Sequence, residues 1–184
     1  IDTLLDETQT PLPDSLMLLV YRIKADNHIK RYQYQNAHDT FAYSLHTYNA
    51  LLTDAEQEDY KNQMLLWKSL AEVPEQRVRV TSQSSIPMLR DIAGLQNLNI
   101  SAHKDTVPFI FDTGANLSVV TKSVAEIFQM NVFPDTIAVN AITGQKVMAH
   151  PAVCKRLYLG DVEIENAVFL VFDDAQLAFP QIDY

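Results

Sequence analysis

Cysteine, glycine and long apolar runs are all scarce in this chain of 184 residues. Its single cysteine, Cys154, excludes an intrachain disulfide, and its position in an apolar run predicts a small buried side chain rather than a nucleophile. Only four glycines occur, none before Gly94, and no glycine-rich loop could bind a phosphate. No apolar run reaches the roughly 18 residues of a membrane-spanning helix, so no transmembrane segment is predicted.

Basic residues are also too few for a nucleic-acid-binding surface, because the net charge is −9. The five histidines are scattered. His38 and His46 could share a helix face, but their spacing is not that of a zinc pair. The sequence therefore predicts no metal and no cofactor. The first residue is Ile1 rather than Met, so we expect that any signal peptide has been removed or was never included.

The first part of the chain, from residue 12 to about 73, has the periodicity of helices. Apolar residues recur at helical spacing in three stretches, 12–23, 41–52 and 60–71. Thr53 followed by Glu56 is a capping-box pattern that predicts a helix start, and Pro74 follows the last periodic residue. Almost nothing separates the second and third helices, so we expect an antiparallel hairpin. With its Ala, Phe, Tyr and Leu positions the hairpin resembles a tetratricopeptide-type repeat, and a small bundle or a fragment of a longer array explains it equally well.

From residue 77 onward, short strands replace the helices. Residues 77–81 alternate with period two, residues 82–85 indicate a linker, and turns are predicted at 103–105, 143–144 and 160–161. The predicted strands are 98–102, 107–111, 117–120, 137–141, 145–149, 153–159 and 162–172, with a short helix at 123–130. This pattern predicts a small closed or sandwich-like β domain. The fold class is therefore α+β: a helical domain over 1–75, a linker or first strand over 76–90, and a β domain over 91–184.

Residues 108–116, Pro-Phe-Ile-Phe-Asp-Thr-Gly-Ala-Asn, deliver one carboxylate, Asp112, from an apolar strand into a turn of small residues. Gly114 tolerates unusual backbone angles and close approach of another backbone. Ala115 is small enough for the same crowding, and the Thr113 hydroxyl could brace the turn or reach a partner chain. We expect residues 109–111 to bury the strand and lower the dielectric near Asp112. The alternative is a buried strand that ends in an Asx-type turn.

Hydrolysis of a peptide bond by carboxylates requires an acid and a base at one place. Two carboxylates a short distance apart cannot both ionise, so they share a proton: one activates a water and the other polarises the scissile carbonyl. The chain contains one Asp-Thr-Gly triplet, because Asp105-Thr106 and Asp135-Thr136 are not followed by glycine. Asp112 can therefore supply only half of such a pair.

Residues from about 88 to 184 resemble the retropepsin-like aspartic proteases. The matching features are Phe-Asp-Thr-Gly-Ala at 111–115, Ser-Val-Val at 118–120 and the hairpin around Thr143-Gly144. The lead-in over 86–104 looks like bacterial members that carry a helical region upstream. The resemblance implies that Asp112 is catalytic and that a homodimer pairs it with its symmetry mate. It also favours an extracytoplasmic bacterial location.

The resemblance further implies roles for the residues around Asp112. Thr113 would bond across the two-fold axis, and Gly114 and Ala115 would line a cleft for a peptide or protein substrate. A flap over residues 140–147 would close on that substrate. Its predicted substrate-binding residues are Asn140, Ala141, Ile142, Thr143, Gly144 and Gln145.

The chain also departs from the family pattern. We do not find the family's second element, two apolar residues and a glycine that cross behind the catalytic loop. The sequence stops at Tyr184, about where that element should begin, which predicts an incomplete β domain and makes a C-terminal remainder of the same protein a candidate partner. The flap has one glycine, Gly144, which predicts restricted motion. Asn116 stands where many members have a second Asp, which should alter bracing of the loop more than its chemistry.

Two functions from different classes follow. The first is an aspartic endopeptidase, with a water activated by two Asp112 carboxylates, one from each subunit. The second is a non-catalytic binding or scaffold protein, in which the helices carry the function and the β domain keeps a protease-like shape.

Overall fold

The structure is a computed structural model that describes residues 12–81, 83, 85–140 and 146–177, apart from the Asn140 side chain. The chain divides into two compact units, Ile1–Glu75 and Gln76–Tyr184. Helices occupy the first unit and strands dominate the second, which confirms the α+β fold class. Among the described helices, none has the length and apolar character needed to cross a membrane.

Among its described residues, the first unit contains three helices and one short 3-10 turn. Helix α1 spans Asp14–Lys30, α2 spans Tyr34–Tyr48, the 3-10 turn spans Asn49–Leu51 and α3 spans Asp54–Ser69. Helix α2 packs against both α1 and α3, and the 3-10 turn leaves only a short link before α3. The predicted hairpin of the second and third helices is therefore confirmed.

Aromatic side chains form the contact between α2 and α3. Tyr34 stacks on Trp67 with ring centroids 5.6 Å apart, and Phe41 meets Tyr60 edge-on at 5.3 Å. All four rings are buried. Such pairs add roughly 0.5–1.5 kcal/mol each beyond the burial of their area, so they account for much of the cohesion of this hairpin.

The predicted first helix is present as α1, but its apolar spacing does not mark its buried side. Leu16, Leu19 and Ile23 have the spacing of a core stripe, but all three are exposed, and Leu18 and Ala25 are the residues of α1 that are fully buried. Both sides of this helix carry apolar residues, so periodicity alone did not distinguish them. The side that faces α2 is the one that packs.

Helix α3 begins with the predicted capping box, which the structure confirms. The Thr53 hydroxyl accepts from the Glu56 N–H, and the Thr53 N–H donates to Glu56 Oε2 at 2.9 Å. Glu56 also receives Arg22 Nη2 from α1 at 2.9 Å, while Arg22 Nε donates to the Tyr60 hydroxyl at 2.8 Å. One half-exposed carboxylate therefore caps α3 and links it to α1.

These donors predict a pH-dependent contribution of Glu56 to stability. The Thr53 N–H, then Arg22 and the Thr53 hydroxyl, lower the pKa of Glu56 to about 2 from 4.5. Because the pKa is depressed in the folded state, the contribution is full above pH 4.5 and is lost as pH falls towards 2. Glu56→Gln should lower Tm at pH 7, and the difference from wild type should shrink over that acid range. Thermal unfolding followed by circular dichroism measures both.

The matched control for this prediction is Glu72→Gln, because Glu72 is exposed and lies beyond α3. It should leave Tm nearly unchanged at every pH. A Glu56→Gln difference that stays constant from pH 7 to the acid end would contradict the role of the ionised carboxylate.

The second unit contains nine strands among its described residues. They are β1 Arg77–Val80, β2 Leu89–Arg90, β3 Gln96–Ala102, β4 Asp105–Ile110, β5 Ser118–Thr121, β6 Asn131–Val132, β7 Ile137–Asn140, β8 Lys146–Leu159 and β9 Val162–Phe172. Two short helices accompany them, α4 over Lys122–Ile127 and α5 over Asp174–Leu177. Strands β2 and β6 were not predicted, because two residues are too few to show alternation.

Strands β8 and β9 organise this unit. β9 pairs antiparallel with β8 and β1 and parallel with β5, and β8 also pairs with β3, β6 and β7. The prediction of two separate strands over 145–149 and 153–159 is wrong, because β8 is continuous. Pro151 lies opposite Leu170 within it, and its carbonyl accepts the Phe133 N–H at 2.9 Å. The fixed φ of proline is compatible with an extended strand.

The core of the second unit lies between the long β8–β9 hairpin, β5 and α4. Phe128, just after α4, is fully buried and stacks on Phe109 of β4 with centroids 6.1 Å apart. Phe109 also meets Phe169 of β9 at 6.4 Å. Cys154 is buried in the same core, and burial raises the pKa of its thiol. The predicted role of Cys154 as a small buried hydrophobe is thus confirmed.

Candidate active site

Asp112 lies on an exposed loop between β4 and β5. Strand β4 pairs with β3 up to Ile110, and the Phe111 N–H donates to the Gln96 carbonyl at 2.8 Å. Asp112 is the next residue, and a turn follows at residues 113–114. The loop returns into β5, which is held by parallel pairing to β9. The sheet therefore fixes both ends of the segment that carries Asp112.

The carboxylate of Asp112 is partly engaged by its own turn. Its Oδ1 accepts the Gly114 N–H at 2.8 Å, which is the Asx-type bond of the alternative prediction. Within the described parts of the chain, Oδ2 has no hydrogen-bond partner. The turn thus orients the carboxylate while one oxygen stays available for a second group. The bond fits both a turn-forming residue and a catalytic one.

A side chain at position 114 is disfavoured by its closeness to Asp112, and not by the backbone angles of Gly114. A Cβ at this position would lie 3.3 Å from Asp112 Oδ1, so the carboxylate would have to move by a few tenths of an ångström. Because misplacement of a catalytic group by about 1 Å can cost on the order of a hundredfold in rate, the catalytic role that the resemblance implies for Asp112 predicts a roughly tenfold lower kcat in Gly114→Ala. Tm should change little, since the loop is exposed.

Ala55→Ser serves as the control for Gly114→Ala, because it adds one atom at an exposed position of α3, outside the Asp112 loop. It should leave kcat within about twofold of wild type, in line with the small effects of most exposed substitutions. Steady-state cleavage rates give kcat for both variants, and circular dichroism melts give their Tm. A full rate in Gly114→Ala would mean that the position of Oδ1 does not matter.

The expectation that residues 109–111 bury the site is wrong for two of the three. Strand alternation turns Phe109 into the core, while Ile110 is 36% exposed and Phe111 is 46% exposed. Val119 of β5 is 44% exposed as well. These apolar side chains flank the Asp112 loop without enclosing it. A single copy of the β unit therefore leaves Asp112 open to water.

A second turn supports the Asp112 loop and was not predicted. Asp91 Oδ1 accepts the N–H groups of Ala93 and Leu95 at 2.8 and 2.9 Å, and Oδ2 accepts Asn97 Nδ2 at 2.9 Å. This turn fixes the start of β3, where Gln96 holds Phe111. Its sequence signal was Asp-Ile-Ala-Gly at 91–94, because Asp and Gly are typical turn residues. In the structure Gly94 has a positive φ.

The other predicted site residues are only partly within the described residues. Thr113 and Ala115 lie exposed on the loop, and the Thr113 hydroxyl has no partner among the residues that the structure covers. Asn140 ends β7 and pairs with Lys146 of β8, which gives the base of a hairpin. The remaining flap residues, Ala141, Ile142, Thr143, Gly144 and Gln145, lie outside the described residues.

Among the described residues, no second carboxylate contacts Asp112. In the described ranges, no group of three or more His, Cys, Asp or Glu side chains could hold a metal ion. The chemistry available at the loop is therefore that of one oriented carboxylate with apolar neighbours.

Comparison with known proteins finds an aspartyl protease family and a similar solved structure. Residues 98–180 match the family described as aspartyl protease, so the match includes β4, Asp112 and the strands that follow. A solved structure of a retropepsin-like aspartic protease from Rickettsia conorii is similar at 19% identity, with 51% of this chain and 80% of that chain covered and a TM-score of 0.41. No curated protein matched. The family match confirms the protease resemblance of the β unit, and the helical unit lies outside it.

Proposed function

We propose that this protein is an aspartic endopeptidase whose active site forms from two copies of the chain, each of which contributes Asp112. The observation that carries the proposal is the Asp112 carboxylate, held through Oδ1 on an exposed loop with Oδ2 unengaged. The aspartyl protease match over residues 98–180 supports it. One triplet per chain then requires a second copy to complete the pair.

The proposed reaction uses no covalent intermediate. Two Asp112 side chains in contact share one proton, because both cannot remain ionised. The ionised carboxylate takes a proton from a water, whose oxygen attacks the carbonyl carbon of the peptide. The protonated carboxyl donates to the carbonyl oxygen. Collapse of the tetrahedral intermediate breaks the C–N bond: the leaving nitrogen takes the proton of the first carboxyl, and a hydroxyl of the intermediate returns its proton to the second carboxylate as the C=O bond forms.

The apolar side chains around the loop support the dimer. Ile110, Phe111 and Val119 are exposed beside Asp112 in a single copy. A second copy placed over them would bury apolar surface and exclude water from the two carboxylates. Removal of water strengthens every electrostatic interaction within the site. The shielding that we expected within one chain would then come from the partner.

The remaining predicted residues take roles around this pair. The unengaged hydroxyl of Thr113 would bond to the partner copy across the two-fold axis, and Ala115 would line the cleft. The hairpin that rises from the Asn140–Lys146 pair would carry residues 141–145 over a bound peptide. A peptide or protein with one segment in extended conformation is the proposed substrate.

Cleavage and self-association measured together test the proposal. We expect hydrolysis of unstructured peptides at mildly acid pH, with a specific activity that rises with protein concentration and then reaches a plateau. Sedimentation equilibrium should give a monomer–dimer constant in the same concentration range. Cleavage by a monomer, with a rate per chain that is independent of concentration, would contradict the paired site.

The binding or scaffold alternative makes the opposite prediction. The Asx-type bond from Asp112 to Gly114 fits a residue that only forms a turn, and the helices form a compact unit of their own. A stable dimer that cleaves no peptide at any pH would favour this alternative.

A further inference from the structure

A cavity of about 450 Å³ lies in the β unit, away from the Asp112 loop. It is bounded by α4, β6, the first part of β8, the end of β9 and α5, and none of residues 108–118 lines it. Its volume falls within the range of about 300–1,000 Å³ that is typical of ligand sites. Strand β5 connects the two places, because it leaves the Asp112 loop at Ser118 and leads into α4 after Thr121.

The interior of the cavity is apolar. Ala125, Met130, Val171 and Phe172 line it and are buried. Met148 lines it from β8 and is about half exposed. Such a lining stabilises a large apolar group by removing it from water. A volume of 450 Å³ accommodates a large apolar side chain together with the neighbouring groups of a peptide.

The rim of the cavity is polar, with an excess of negative charge. Glu126 and Asp173 are exposed lining residues, and Lys122 is the lysine among them. None of these three side chains has an ion pair or side-chain hydrogen bond within the described residues. The neighbouring Asp174 is already engaged, since the hydroxyl and N–H of Ser123 donate to its carboxylate. The two free carboxylates outweigh the one ammonium, so the rim favours a cationic group.

We propose that this cavity is an accessory peptide-binding site that takes a large apolar side chain flanked by Lys or Arg. Complementarity to Glu126 and Asp173 selects the basic neighbours, and the apolar interior selects the anchor. The part of this inference that makes the peptide a substrate rests on the proposed endopeptidase function.

The five methionines provide the readout. Met130 and Met148 line the cavity, Met17 and Met64 belong to the helical unit, and Met88 precedes β2. With ¹³C-methyl methionine in the Asp112→Asn chain, the probe acetyl-Gly-Lys-Phe-Lys-Gly-amide should shift the Met130 and Met148 signals in a saturable way. The Met17, Met64 and Met88 signals should stay in place, which also shows that the fold is intact.

Matched peptides and variants test separately the apolar anchor and the basic neighbours of the peptide. Replacing Phe in the probe by Ala should abolish saturation, and replacing both Lys by Glu should weaken binding. Glu126→Lys and Asp173→Lys should each raise Kd for the Lys-containing probe by about two- to fivefold, as expected for exposed charge pairs. The control Glu72→Lys makes the same charge change in the helical unit and should leave Kd unchanged. Val132→Trp, at the half-exposed mouth, should block binding by occupying the cavity.

Three outcomes would overturn the inference. These are no shift of Met130 and Met148 at millimolar probe, equal affinity for the Glu-containing peptide, or a shift confined to Met88. The inference and the proposed function fail separately. Wild-type cleavage without these shifts removes the accessory site alone, whereas saturable shifts in a chain that cleaves no peptide remove the endopeptidase alone.

Discussion

Asp112→Asn should reduce kcat for peptide cleavage at mildly acid pH by at least about a thousandfold, within the range that a positioned acid–base group contributes. The amide cannot accept the proton of the attacking water. It can still accept the Gly114 N–H through its side-chain oxygen, so the turn should persist. Initial rates measure the loss, and circular dichroism should show an unchanged spectrum and Tm.

Asp59→Asn is the matched control, because it makes the same substitution at an exposed position of α3. It should leave kcat unchanged. Activity that survives Asp112→Asn in a chain free of contaminating protease would exclude Asp112 as the catalytic carboxylate, whatever the oligomeric state.

Dimers that combine wild-type and Asp112→Asn chains test whether one active site needs Asp112 from both copies. If one site requires Asp112 from both copies, a refolded equimolar mixture of wild-type and Asp112→Asn chains should retain about a quarter of the activity of the same total amount of wild type, because only wild-type pairs are complete. Independent sites on each chain would leave about half. The activity should follow the square of the wild-type fraction across the titration.

The sequence identified the loop because its signals were local. Thr53 and Glu56 marked the start of α3 through neighbouring hydrogen-bond partners, and Asp112 was marked by an apolar strand followed by small residues. The last strand, Val162–Phe172, was predicted with its observed bounds, because residues 162–165 alternate between apolar and charged, residues 167–172 are all apolar, and Gly160 and a pair of aspartates lie at the two ends.

Features that depend on distant pairing were not predictable in the same way. β8 continues through Pro151 because its pairing with β9 extends across that residue and β6 pairs with the two residues that follow it. The exposed side of α1 became clear only from its contact with α2. The apolar side chain of Phe111 suggested burial. Phe111 lies beyond the end of β4, and within one chain it remains 46% exposed. For α1 and Phe111, an apolar residue shows only that burial is favourable, and tertiary contacts decide what covers it.

Phe111 therefore provides the second large test, Phe111→Asp. In one copy this side chain is 46% exposed, so a charge there should cost the isolated chain little stability. In the proposed dimer, two added carboxylates would meet close to the two Asp112 side chains. Juxtaposition of like charges at an interface costs several kcal/mol, so the dimer dissociation constant should rise by at least about a hundredfold.

Specific activity should fall with the dimer population, and a high concentration of the variant should restore part of it. Sedimentation equilibrium and cleavage rates over the same concentration series measure the two quantities. Ile127→Asp is the matched control, because Ile127 is similarly exposed at 43% but ends α4, outside the Asp112 loop. If Phe111→Asp remained dimeric and fully active, Phe111 would lie outside the interface, and the second carboxylate would have to approach Asp112 from another side of the loop.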